Sequence, residues 1–96
     1  MGAMIFFTRA KGRDAREAFM AAVDNALWAM GHQGYSGTIA EKDGFIELQP
    51  LPGETPEAFA KRLVDADDIR VCDKWGPAGA VKTSDDEWLF FGWASS

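Results

Sequence analysis

With 96 residues, 47% of them apolar, the chain has material for one hydrophobic core and no room for a second. A net charge of −5 disfavours non-specific binding to a phosphate backbone, and Cys72, the only cysteine, excludes an intrachain disulfide and suits a reducing compartment. No apolar run has the length of a membrane span and no signal peptide is evident, so the expectation is a cytoplasmic protein with no membrane partner.

Met1-Gly2-Ala3 ahead of Met4 reads as a cloning scar, which leaves residues 4–96 as a single α+β domain. Met4–Thr8 is apolar and aromatic and predicts the first strand. Arg9, Lys11 and Arg13 follow around Gly12. Asp14, with Glu17 three residues on, has the pattern of a capping box. Apolar residues at 15, 18, 19, 22, 23, 26, 27 and 30 then give a helical stripe, predicting a helix from Arg13 to Met30 with Gly31 just past its end. Trp28 is out of phase with that stripe and shares the polar side with Glu17, Ala21 and Asp24. Either a loop or strand end covers it, or it makes a protein–protein or ligand contact.

Thr38–Glu41 and Phe45–Gln49 flank Lys42-Asp43-Gly44, which predicts an antiparallel hairpin with Lys42-Asp43-Gly44 in its tight turn, where a side chain at Gly44 would be costly if its φ is positive. Pro50, Pro52 and Gly53 close it. Thr55-Pro56-Glu57 opens a second helix, with Phe59, Leu63 and Ala66 on its buried side and its end near Asp68. Ile69–Cys72 reads as a brief strand or a docked loop. Ala80–Thr83 and Trp88–Trp93 around Ser84-Asp85-Asp86 predict a second hairpin. Trp88–Trp93 is apolar on both faces, as in a central strand, and Gly92 within it suggests a close backbone approach. The element order is β-α-β-β-α-β-β. The expected fold is α+β, a mainly antiparallel sheet with two helices on one face.

Standard catalytic signatures are missing, and no metal or cofactor is expected. His32, the single histidine, directly follows the predicted helix end, where an imidazolium suits the helix dipole. Ser36, Thr38, Glu41 and Lys42 contain a nucleophile and acid–base groups, but strand alternation would turn Thr38 and Glu41 to opposite faces, which argues against a catalytic cluster. Two glycine-rich segments stand out instead: residues 32–42, with Tyr35, Ser36, Thr38 and Lys42, and residues 73–80, with Lys74 and Trp75. Each places an aromatic near a cation among glycines. Trp75 before Gly76-Pro77 sits in a rigid turn that fixes its ring. The strand order lets both segments lie at one end of the sheet.

The segments GYSGTIAEK, DKWGPAGAV and WLFFGWASS, with the opening FFTRAKG, resemble a family of small uncharacterised proteins of phages, prophages and mobile elements. The family versions read close to GYTGTIAEK, DKWGPAGCI and YLFFGWAS. Ala80 stands where the family has a cysteine, so a thiol function there would be absent from this chain. The resemblance implies a mobile-element setting, in which small acidic proteins often block host defence. The leading expectation is therefore a non-enzymatic cytoplasmic binding protein that inhibits or modulates a host protein through Trp28 and the two loops. The alternative is a nucleotide or small-molecule binder, with hydrolysis left open, in which Arg9, Lys11, Arg13 and Lys74 meet an anion while Tyr35 or Trp75 stacks, with Lys42 within reach. The third reading is a structural protein that forms homo-oligomers through exposed aromatics.

Overall fold

The computed structural model describes residues 2–30 and 36–95. The order is β1 (Ala3–Lys11), α1 (Ala15–Met30), a 3-10 turn (Ile39–Glu41), β2 (Phe45–Glu47), α2 (Pro56–Asp65), β3 (Ala78–Ser84) and β4 (Glu87–Ser95). The strands form one sheet in the order β1-β4-β3-β2. β4 is antiparallel to β1 and to β3, while β2 runs parallel to β3. The fold is α+β as expected, but the sheet is mixed. No helix among the described residues is long and apolar enough to cross a membrane.

The two helices cover opposite faces, not one. Along β4 successive side chains point to alternate sides. Trp88, Phe90 and Ala94 join Phe6, Ala18, Phe19 and Ala22 in one core under α1, while Leu89 and Phe91 join Phe59, Ala60, Leu63 and Val64 in a second core under α2. Helices on a single face would leave one of these rows in water, at a cost of roughly 1.5–3 kcal/mol for each large side chain. On the α1 side Phe19, Phe45 and Phe90 form a mutual ring cluster with centroids 5.1–5.7 Å apart. On the other side Phe59 meets Phe91 edge-on at 6.2 Å.

Local chemistry places both helix starts. Asp14 Oδ1 accepts from Glu17 N (2.8 Å), and the Glu17 carboxylate accepts in return from Arg13 N (3.1 Å). Thr55 Oγ1 accepts from Ala58 N (3.1 Å) ahead of Pro56 in the first turn of α2. Gly31, the expected end residue of α1, lies outside the described residues.

The first predicted hairpin does not form. Ile39 is completely buried, and Thr38–Glu41 coils into the 3-10 turn, with Thr38 Oγ1 accepting from Ala40 N. Burying Ile39 takes precedence over the local Asp-Gly turn signal. Phe45–Glu47 then pairs with β3, with which α2 connects it by a crossover, and parallel pairing requires such a connection. Gly44 does not have positive φ, and a Cβ there would meet nothing within 4 Å. The second hairpin is present, with Asp85-Asp86 between β3 and β4.

Residues 69–72 form a docked loop. Asp68 organises it: its carboxylate accepts from Arg70 N (3.0 Å), Nε (2.8 Å) and Nη2 (3.0 Å), and its carbonyl accepts from Val71 N and Cys72 N, both at 2.9 Å. This seats Val71 in the second core, against two glycines of the sheet. A Cβ at Gly79 would lie 2.6 Å from Phe91 Cζ and 2.9 Å from Val71 Cγ1. Gly92, with φ of 146°, brings its Cα side to Val71 O, 3.3 Å from where a Cβ would stand.

This packing sets what substitutions should do. Gly92→Ala, strained in backbone and crowded, should lose about 1–3 kcal/mol in chemical denaturation, whereas Gly44→Ala should change stability by less than about 0.5 kcal/mol. Arg70 holds the Asp68 carboxyl down at about 2, against an ordinary value of 3.8. A depressed carboxylate contributes stability that is complete above its unfolded value and is lost as the pH falls through the folded one. Asp68→Asn should therefore be less stable than the wild type at neutral pH, with the difference closing as the pH falls toward 2 in an acid-denaturation series.

Candidate functional site

β1, β2 and β3 start at the same end of the sheet, and β4 finishes there. Gly37 N donates to Ser95 O (2.7 Å), so the segment after α1 arrives at this end too. Ala78 N donates to Gly44 O (2.9 Å), which brings the 73–77 turn beside the start of β2. The two glycine-rich segments thus meet, although through a different strand order from the expected one.

Lys42 joins them. The residue is only 4% exposed, and Nζ donates to the carbonyls of Asp73 (3.1 Å), Lys74 (3.3 Å) and Gly76 (3.0 Å). An ammonium has three donors and no acceptor, so this cradle uses all of them. Burial pushes the Lys42 amine below its usual range, and the nearby Asp73 charge partly offsets that. The sequence suggests Lys42 as an anion contact; in the fold it is the pin that fixes the second loop.

The pinned turn displays Trp75. Asp73 Oδ1 accepts from Trp75 N (2.9 Å) and Asp73 O from Gly76 N (3.0 Å), an Asx arrangement nested in a reverse turn. Trp75 is 60% exposed, with Lys74 Nζ over its ring, 5.5 Å from the centroid. Lys74 Nζ also reaches the carbonyl of Gly2 (3.5 Å). The turn signal is visible in the sequence. The role of Asp73 is missed there, although an Asp two residues before an aromatic and Gly-Pro is the local sign of an Asx turn.

Ser36, Thr38 and Glu41 come together, contrary to the strand-based expectation that Thr38 and Glu41 diverge. Ser36 Oγ donates to Glu41 Oε2 (2.9 Å), as does Ser36 N (3.0 Å), and Ser36 Oγ lies 2.7 Å from Thr38 Oγ1. The 3-10 turn replaces strand alternation and closes the group. Its bonds are all local, and they stiffen the turn that aims Lys42 inward.

Trp28, 92% exposed on α1, is not covered. Because α1 returns the chain from the Lys11 end of β1 to Gly37, its final turns approach the same end of the sheet as Trp75. Tyr35 and His32 lie outside the described residues. Arg9, Lys11 and Arg13 lie elsewhere. Lys74 touches Gly2, whereas Arg9 is seven residues along the extended β1, roughly 23 Å at ~3.3 Å per residue. Arg9 is ion-paired with Glu57 and Glu87, and Arg13 with Glu17. The basic connection and Lys74 therefore do not form one anion site. Among the described residues no three His, Cys, Asp or Glu side chains gather where they could hold a metal ion.

No family model, curated protein or solved structure matches this chain.

Removing the pin tests its role. Lys42→Met should cost about 3 kcal/mol, through the loss of charge-assisted hydrogen bonds and the exposure of three orphaned carbonyls. Hydrogen exchange at residues 73–77 should quicken more than in either core.

Proposed function

We propose that this chain is a small acidic binding protein, encoded by a phage or other mobile element, that docks on a host protein and modulates it, a defence component being the expected class of target. The observation that supports this is Trp75. A large aromatic, 60% exposed, stands on a turn that a buried lysine and an Asx bond brace. A pre-ordered ring loses little entropy on docking, and tryptophan is enriched among residues that anchor interfaces. Trp28, 92% exposed near the end of α1, is a second candidate contact. The host cytoplasm is the compartment this reading requires.

The nucleotide-binding alternative receives less support from the geometry. Lys42 has its donors engaged by carbonyls, and Arg9, Lys11 and Arg13 sit toward the other end of β1.

Quantitative capture from host lysate compares wild type with Trp75→Ala and Trp28→Ala. The expected result is a specific host protein whose recovery falls about tenfold, ~1.4 kcal/mol of binding, in Trp75→Ala at an unchanged melting temperature. Undiminished capture by both variants would remove this end of the sheet as the contact surface.

A further inference from the structure

β1 is an edge strand nine residues long, with no described strand paired along its outer side. Over Ala3–Thr8 it has no proline, no bulge and no charge, and the charged residues that commonly guard such an edge, Arg9 and Lys11, stand only at its far end. Gly12 N donates to Asp86 O (2.9 Å), one step beyond the Lys11–Glu87 pair of the β1–β4 ladder. Bonded and non-bonded pairs alternate in an antiparallel ladder. Ala10, Thr8, Phe6 and Met4 therefore turn their N–H and C=O groups to β4, while Ala3, Ile5, Phe7 and Arg9 turn theirs outward. The same outward set carries its side chains on the α2 face. α2 packs on β3 and β4 and reaches this strip only at Arg9, through Glu57, which leaves Ile5 42% and Phe7 49% exposed. A groove of about 440 Å³ runs beside it, lined by Phe7, Arg9, Leu89, Glu57 and Lys61.

We propose that two copies of this chain pair through β1, antiparallel about a two-fold axis at Phe6, to make one continuous eight-stranded sheet. This pairing does not depend on host binding. A second copy is the occupant that the strand itself specifies. In this register Ile5 stands opposite Phe7 of the second copy, and Phe7 opposite its Ile5, so four exposed apolar side chains close into one patch between the two α2 helices. The opposed residues are those with outward main-chain groups, so the pairs Ile5–Phe7 and Ala3–Arg9 each exchange two hydrogen bonds. Charge agrees with the antiparallel sense. It sets each Arg9 against Ala3 and carries Lys11 past the end of the other strand, whereas parallel in-register pairing would stack Arg9 on Arg9. Glu57 and Glu87 already neutralise Arg9, so the approaching edges do not repel. A contact of this length buries on the order of 1,000 Å² in total, the low end for a specific interface, and forms a dimer that dissociates on dilution.

Sedimentation equilibrium of the full chain across the micromolar range tests this. The expected mass rises from 10.5 kDa toward twice that value with concentration. Phe7→Lys and Ile5→Lys, both at exposed positions, should each weaken association at least tenfold with unchanged circular dichroism. Amide exchange at Ile5, Phe7 and Arg9 should slow as concentration rises, while that at Phe6 and Thr8, already bonded to β4, should not change. A monomer at every concentration would overturn the proposal. So would a dimer that neither lysine weakens, or one in which the outward amides stay unprotected.

Discussion

A strand that is apolar on both faces cannot lie against water on either. β4 carries Trp88, Phe90 and Ala94 toward one side and Leu89, Phe91 and Trp93 toward the other, and this constraint organises the molecule. One helix must cover each face, so α1 and α2 separate. With α2 crossing the second face between β2 and β3, those strands run parallel, because a crossover returns the chain in its original direction. The glycines at 79 and 92 belong to the same demand. They open space for Phe91 and for the Val71 loop, which fills the second core where α2, ten residues long, does not reach.

At the sheet end where three strands begin, the organising interaction is polar. A buried ammonium is tolerated only when its desolvation is compensated, and Lys42 finds compensation in three carbonyls of one turn. The result couples two segments more than thirty residues apart in the chain. The Ser36–Thr38–Glu41 bonds stiffen one side of the joint, and Asp73 stiffens the other. Trp75 stands on that frame as a fixed, exposed ring, which links a core-like interaction to the proposed docking surface.

The remaining surface is divided by the length of β1. Aromatic side chains mark the end where the strand starts, and the basic residues Arg9, Lys11 and Arg13 mark the end where it stops, two of them paired with glutamates. Between these ends runs an open edge with alternate apolar side chains. The proposed partner surface and the proposed strand pairing therefore fall on different parts of the molecule.

The sequence by itself determined the elements whose signals are local. The Asp14–Glu17 capping pair and the helical stripe fixed α1, Thr55-Pro56 fixed the start of α2, and the apolar run over 88–93 fixed a central strand, since caps and periodicity act within a few residues. It also marked the two glycine-rich segments as a meeting place. What it did not determine depends on burial at a distance. Lys42-Asp43-Gly44 carries a hairpin signal, but the complete burial of Ile39 outweighs it, and the chain coils instead of pairing. Strand alternation would separate Thr38 from Glu41; the 3-10 turn joins them. Lys42 has the same side chain whether it binds a ligand or pins a loop. Only the tertiary structure decided between them, because the three carbonyls that fill its donors belong to a segment that folding alone brings within 3.3 Å.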